Sequence, residues 1–376
     1  MSLSSVSRAA FSRQPVLCIA SLFAIVTTFF VPPDEQYFDY VDWRVIGLLF
    51  CLMVVVMGFR RLGGVDALSS ALIRALHDMR RLTLGLVIMA FFTSMLLTND
   101  VALISLVPLT MSILSCSGRL SDAARLVTLE AIAANLGSMA TPLGNPQNLF
   151  LYTAFHLPAS EFFSAMVPLS VISLILLMVA ALLSPKHEIG VQSSSRYEPA
   201  VEPMRWRAVV VGVLFVLAIF AVFRLLPVPY LIAAILLGFG VADWRALIKI
   251  DYGLLATFVV FFIFVGNLQR IGAVNELMTS FASDHALSGG VCLSQVISNV
   301  PAAILLSGFT RDASGLLVGV NIGGLGTLVA SLASLIAFQG YAKVCHDQKA
   351  RFIGVFTFYN VVFAAILLLF QSLVLS

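Results

Sequence analysis

The sequence predicts an all-α integral membrane protein of two inverted repeats, with re-entrant hairpins and discontinuous transmembrane helices. Three observations lead there. The chain of 376 residues is 60% hydrophobic and only 11% charged, against about a quarter charged in globular domains. Its apolar runs have the length of bilayer crossings, roughly 20 helical residues each. A weak internal similarity relates the two halves, and polar residues interrupt apolar runs at paired positions.

Taken in order, candidate spans cover 16–32 and 43–59, a long interrupted run at 123–156, then 161–183, 207–226, 228–243 and 252–268, a second interrupted run at 315–339, and 352–373. Two further apolar runs, 82–116 and 286–309, are cut in the middle by polar residues. Each is read as a re-entrant hairpin because it is short for two full crossings. The stretch 66–80 places Leu68, Leu72, Ala75, Leu76 and Met79 on one face and Arg74, Asp78 and Arg80 on others, the pattern of an interfacial helix. Residues 184–206 form a polar linker. The expected organisation is a first repeat over 1–183, the linker 184–206, a connecting span 207–226 and a second repeat over 227–376.

Charge placement predicts orientation. With the N-terminus in the cytoplasm, 18 of the 22 Lys and Arg residues fall in cytoplasmic segments; Arg44, Arg224, Arg270 and Arg311 are the exceptions. The span after Arg8 and Arg13 ends at Val31-Pro32-Pro33 without a small-residue cleavage site, so it is read as a retained anchor. A net charge of +3 offers no field for nucleic acid. Five scattered cysteines without a CxxC argue against a disulfide framework or zinc site. No GxxxxGK[ST] run is present, so no ATPase is expected in the chain.

The internal similarity pairs Asp42-Trp43 with Asp251-Tyr252 and Arg61-Leu62-Gly63 with Arg270-Ile271-Gly272 at an offset of 209. Thr98-Asn99 pairs with Ser298-Asn299 at an offset of 200. Asn135-Leu136-Gly137-Ser138 and Thr141 pair with Asn321-Ile322-Gly323-Gly324 and Thr327 at an offset of 186, which sets Gly144-Asn145 on Ala330-Ser331. Charge placement makes 43–59 and 252–268 run in opposite directions. Inverted repeats with matching helix interruptions are the signature of alternating-access transporters.

Interrupted backbone at membrane depth must be enclosed by protein or line a cavity. The breaks free amides at helix starts, which favour anions, and carbonyls at helix ends, which favour cations. The expected substrate and ion site therefore comprises Thr98, Asn99, Asp100, Asn135, Thr141, Gly144, Asn145 and Asn148 from the first half. Ser298, Asn299, Pro301, Asn321, Gly326, Thr327 and Ser331 come from the second. Two acids lie in apolar sequence, Asp100 and Glu130, and both are candidate coupling acids. For Glu130 the alternative is a near-interface residue satisfied by Arg125 or Arg119. No Lys or Arg lies deep in a span, so an anion would be held by helix ends and amides. No cofactor is expected beyond Na⁺ or H⁺ as coupling ion at these breaks. His156 and His285 are expected at the surface.

The runs Thr98-Asn99-Asp100-Val101, Asn135-Leu136-Gly137-Ser138 with Gly144-Asn145-Pro146-Gln147-Asn148-Leu149, and Ser294-Gln295 with Ser298-Asn299-Val300-Pro301 resemble the ion transporter superfamily. The similar branch is that of ArsB/NhaD-type permeases, including bacterial inner-membrane proteins of the YbiR type. The resemblance implies secondary transporters with opposed hairpin tips, Asn99 and Asn299 here, and helix breaks at 144–148 and 326–331. It further implies a homodimer with an elevator-like transport domain in the bacterial inner membrane. The second break lacks the Asn-Pro of the first, so which half holds the cation stays open. The expectation is ion-coupled transport of a small inorganic or organic anion; the rivals are a Na⁺/H⁺ antiporter using Asp100 and, remotely, an intramembrane enzyme.

Overall fold

The computed structural model describes residues 15–63, 78–187 and 205–374. Residues 66–77 of the expected interfacial helix 66–80 and most of the linker lie outside them; its last residues, Met79 and Arg80, open the helix Met79–Leu97 instead. The described residues form an all-α integral membrane protein, with seven helices long and apolar enough to cross a bilayer. In chain order, α1 is Pro15–Thr28, α2 Trp43–Arg61, α3 Met79–Leu97, α4 Asn99–Cys116, α5 Ala123–Ser138, α6 Pro146–Ala154 and α7 Ala159–Leu182. Then follow α8 Arg205–Val222, α9 Val228–Ala242, α10 Trp244–Ile248, α11 Tyr252–Arg270 and α12 Gly272–Asp284. The last five are α13 Ala286–Ile297, α14 Asn299–Ser307, α15 Ala313–Gly323, α16 Leu332–Ala342 and α17 Lys349–Val374.

Local chemistry sets many boundaries. Asp42, Asp78 and Asp312 each accept a hydrogen bond from the backbone N–H three residues on, at the starts of α2, α3 and α15. Asp251, at the position paired with Asp42, caps α11 by accepting from Gly253 and Leu254 N–H. Pro146 opens α6, where its fixed φ and missing N–H cost nothing, and Asn145 caps it by accepting from Asn148 N–H at 2.8 Å.

One boundary differs from expectation. The Asp78 cap starts α3 three residues before the apolar run, so the first pair of arms has 19 and 18 residues. At 1.5 Å per residue each arm is about 27–28 Å long, enough to cross, and length alone therefore does not mark 82–116 as re-entrant. The second pair, α13 and α14, has only 12 and 9 residues. Also unforeseen is α12, between α11 and α13, whose Leu277 and Phe281 are exposed.

The helices pack so that α3 lies against α5, α13 against α15, and α16 against both α4 and α5. The first two crossings share one device. A Cβ on Gly137 would sit 2.2 Å from the Phe91 carbonyl oxygen and 2.6 Å from Ser94 Oγ; on Gly323 it would sit 2.8 Å from Ser294 Oγ and 3.0 Å from the Gly290 carbonyl. Ser94 and Ser294 each donate back to their own helix, to Phe91 O and Gly290 O. Small residues at both crossings let helix backbones touch, as membrane packing favours. At the expected cytoplasmic end, Arg61 pairs with Asp243 across α2 and the α9–α10 junction. At the other end Arg270 pairs with Asp34 at 2.8 Å and donates to Tyr40. The five cysteines are free.

Candidate functional site

The turns between α3 and α4 and between α13 and α14 are single residues, Thr98 and Ser298, with φ of 73° and 77° and ψ of 150° and 153°. A side chain in this region costs of order 1–3 kcal/mol and persists only where surroundings impose it. The surroundings here are the helix breaks. Asn99 N–H donates to the Gly144 carbonyl at 3.3 Å, and Asn299 N–H donates to the Ala330 carbonyl at 3.0 Å. Thr141 and Thr327 bind the preceding arms, α3 and α13, one turn before the tips, donating to Met95 O at 2.6 Å and Gln295 O at 3.0 Å. Each pairing occurs at the offsets read from the sequence.

Between the breaks lies a buried amide network. Asn135, near the end of α5, accepts at Oδ1 from Asn99 Nδ2 at 3.1 Å and from the Ser331 hydroxyl at 2.8 Å. Its amide reaches the Gly324 carbonyl at 3.4 Å. Asn321, near the end of α15, accepts from Asn145 Nδ2 at 3.1 Å and donates to Asn148 Oδ1 at 2.7 Å. Thus the Asn ending each broken helix is bound by the residue capping the other break, Ser331 for Asn135 and Asn145 for Asn321. Asn148 also donates to the Met139 and Thr141 carbonyls, closing the α5–α6 break on itself.

Of the expected site residues, Asn99, Asn135, Asn145, Asn148, Asn299, Asn321 and Ser331 are buried at this junction, with Gly144 and Pro301 beside them. Thr98, Ser298, Thr141 and Gly326 are partly exposed, and Thr327 is exposed. The two threonine hydroxyls are engaged by backbone and do not face the amide network. Asp100 is half-buried in the first turn of α4, its N–H donating to Asn99 Oδ1, where a helix start favours its charge. Glu130 lies apart, in the middle of α5 and fully buried. It is not held by Arg125, which donates to the Ala180 and Leu183 carbonyls instead. Its Oε1 accepts from the Thr110 hydroxyl. His156 and His285 are exposed.

Sequence reasoning missed four contributors. Gln295 spans the second break: its amide donates to Gly323 O and Leu325 O, both at 2.8 Å, and its Oε1 accepts from Thr327 N–H. A glutamine inside the apolar run 286–309 was the available signal. Asn360, fully buried in α17, accepts from Gly326 N–H at 3.3 Å. Ser334, at the position paired with Asn148, is fully buried with no hydrogen-bond partner. Thr110 carries no signal that distinguishes it from any threonine in a helix.

Chemically, the junction gathers the starts of α4, α6, α14 and α16 and the ends of α3, α5, α13 and α15. It thus presents positive and negative helix ends together with neutral amides that can donate or accept. No Lys or Arg takes part among the described residues. Such a site can hold an anion by its helix starts or a bare cation by its carbonyls, without a fixed countercharge. No group of three metal-ligating side chains occurs among the described residues.

Comparison with known proteins sets the chain among membrane transporters. A family model described as "Citrate transporter" matches residues 10–313. An uncharacterized transporter of Methanocaldococcus jannaschii is 32% identical over 305 residues, 81% of this chain and 82% of that one. The inner membrane protein YbiR of Escherichia coli is 33% identical over 330 residues, 85% of each chain. A silicon efflux transporter of rice is 31% identical over 127 residues, 34% of this chain and 26% of its own. The family and these relatives are transporters and membrane proteins, not enzymes. The chain belongs to the citrate transporter family of ion-transporter-type permeases.

Proposed function

We propose that this protein is an ion-coupled secondary transporter of a small anion, with carboxylates of the citrate type as the first class to test. The observation that carries the reading is the crossed amide network, in which Ser331 binds Asn135 and Asn145 binds Asn321. Four interrupted helix segments meet there at side chains that are polar, neutral and buried. Neutral amides gathered at helix breaks inside a membrane protein can exchange their bonds with one another for bonds to a substrate, which supports reading the junction as the permeation site.

The reading extends to mechanism. The paired tips Thr98 and Ser298, the paired tip-to-break bonds and the crossed caps support two repeats of opposite orientation, 1–183 and 227–376, joined by 207–226. Under this reading the hairpins and broken helices form one transport domain that moves elevator-fashion against the remaining spans, in a homodimer. The N-terminus is cytoplasmic and the membrane is the bacterial inner membrane, the location named for the Escherichia coli relative. The coupling ion is H⁺ or Na⁺, and Asp100 and Glu130 are the candidate coupling acids. The family description favours organic anions; the rice relative keeps inorganic oxyacids as a second class. A Na⁺/H⁺ antiporter using Asp100 is the rival, because Asp100 Oδ1 is buried without a hydrogen-bond partner.

Purified protein in proteoliposomes decides among these. Labelled citrate, then a panel of carboxylates, arsenite and silicate, is offered with and without Na⁺ and a pH gradient. Gradient-dependent accumulation that falls at least tenfold in Asn135→Ala supports the reading. Na⁺-driven proton release with no anion uptake, lost in Asp100→Asn, replaces it with the antiporter.

A further inference from the structure

Glu130 stands apart from the amide network and has features that site does not need. It is fully buried. It sits in the middle of α5, eight residues from the last residue of that helix, so no helix end offsets its charge. Its Oε2 has no hydrogen-bond partner. Its Oε1 is met by Thr110 of α4, and that contact is unusual in this molecule. Of the other buried threonines, Thr83, Thr128 and Thr257 donate to the carbonyl four residues back in their own helix and Thr27 to the one three residues back. Thr110, also fully buried, turns from its own backbone to the acid instead. The same helix carries Pro108, which removes one backbone donor two residues earlier.

The other titratable groups on elements packed against α5 are engaged elsewhere or make no contact with the acid. On α3, Arg80 donates to Ser184 O and Arg81 pairs with Asp78. On α5 itself, Arg125 binds two carbonyls of the α7 end and lies over Tyr359 of α17. Glu161 of α7 accepts from Ser314, and Tyr341 of α16 lies beside Cys345. Asp100, Asp122, Cys116, Lys349 and Arg351 make no hydrogen bond or ion pair with Glu130 among the described residues. An ionised carboxylate enclosed without a cation is costly, whereas a protonated one is neutral.

We propose that Glu130, positioned by Thr110, is a proton-carrying site of the transport cycle, distinct from the substrate network. This rests on the transporter reading and deepens it by assigning the coupling ion. A proton taken from water on one side bonds to the carboxylate, giving the neutral carboxyl that the enclosed state holds. On the other side the O–H bond breaks and the proton returns to water. Five residues, about 7.5 Å of helix, separate Glu130 from Asn135, so proton and anion are carried by one rigid element without sharing a ligand.

Two readouts test this. Infrared difference spectra of the purified protein between acid and alkaline pH should show a buried carboxyl band that is absent in Glu130→Gln and displaced in Thr110→Val. The band's persistence in folded Glu130→Gln would overturn the proposal, with or without a known substrate. In proteoliposomes, Glu130→Gln should retain citrate counterflow within about threefold of the parent, yet lose accumulation driven by a pH gradient. Loss of counterflow in the folded variant would place Glu130 in the substrate path and overturn the proposal. If the parent moves no citrate or other anion, the transport reading fails while the infrared result still decides whether Glu130 takes the proton.

Discussion

Removing Asn135 tests the crossed network most directly. In Asn135→Ala the Asn99 amide and the Ser331 hydroxyl lose their shared acceptor, contacts of 3.1 and 2.8 Å, while the 3.4 Å contact to Gly324 is too long to count for much. Both donors are nearly fully buried, at 5% and 1% exposure. Each buried donor left unsatisfied costs about 1–3 kcal/mol, so the variant should lose about 2–6 kcal/mol. Ser331→Ala removes one of the two contacts and the helix cap to Ala333 N–H, at about 1–2 kcal/mol. The double variant should show a coupling of roughly 1–2 kcal/mol, as touching residues do. Asn145→Ala with Asn321→Ala should couple likewise. Pairing Asn135→Ala with Asn267→Ala, whose partner is Thr27, should be additive within about 0.5 kcal/mol. The assay is reversible unfolding in mixed micelles titrated with a denaturing detergent. Additivity in both crossed pairs would refute the contact pattern on which the site is built.

Three further outcomes follow from local geometry. Thr98→Gly and Ser298→Gly should each stabilise by up to about 1 kcal/mol in the same micelle assay, because glycine relieves the positive φ; destabilisation of both would show that the turns are not strained. Gly137→Ala should unfold at lower detergent than Gly323→Ala, since its new methyl meets a backbone oxygen at 2.2 Å and the other nothing closer than 2.8 Å. Overpacking of this kind costs about 1–3 kcal/mol. Arg224, which donates to the carbonyls of Tyr152, His156 and Leu157 at 3.0–3.4 Å, closes the end of α6 with a planar fork. Arg224→Lys should therefore fail to restore the stability lost in Arg224→Ala, by at least half, in thermal melts.

Much of this was legible because polar residues in apolar sequence carry a cost that demands a reason. Asn99, Asn135, Asn145 and Asn321 stood out on that ground, and the structure gathers them. Span boundaries shifted where a cap outweighed hydropathy: Asp78 starts α3 ahead of Arg80 and Arg81, which a hydropathy reading had placed outside the run. What stayed hidden depended on side-chain direction. Thr141 and Thr327 look like ligands in sequence, yet their hydroxyls tie down the hairpin arms. Thr110 looks like any helical threonine, yet it turns to Glu130. Asn360 is separated from Gly326 by a whole helix, so only the folded chain reveals their contact.

The unequal arms have an electrical consequence. From the tip at Ser298, α13 and α14 extend about 18 and 14 Å, whereas the arms flanking Thr98 extend about 27–28 Å. Under the proposed inverted arrangement, with water following the shorter arms inward, the membrane voltage drops mostly across the longer side. An ion entering past α13 and α14 would then reach the centre having crossed the smaller fraction of a potential worth about 2.3 kcal/mol per charge per 100 mV. Exit past α3 and α4 would carry the larger share, so membrane potential should act chiefly on that half of the cycle.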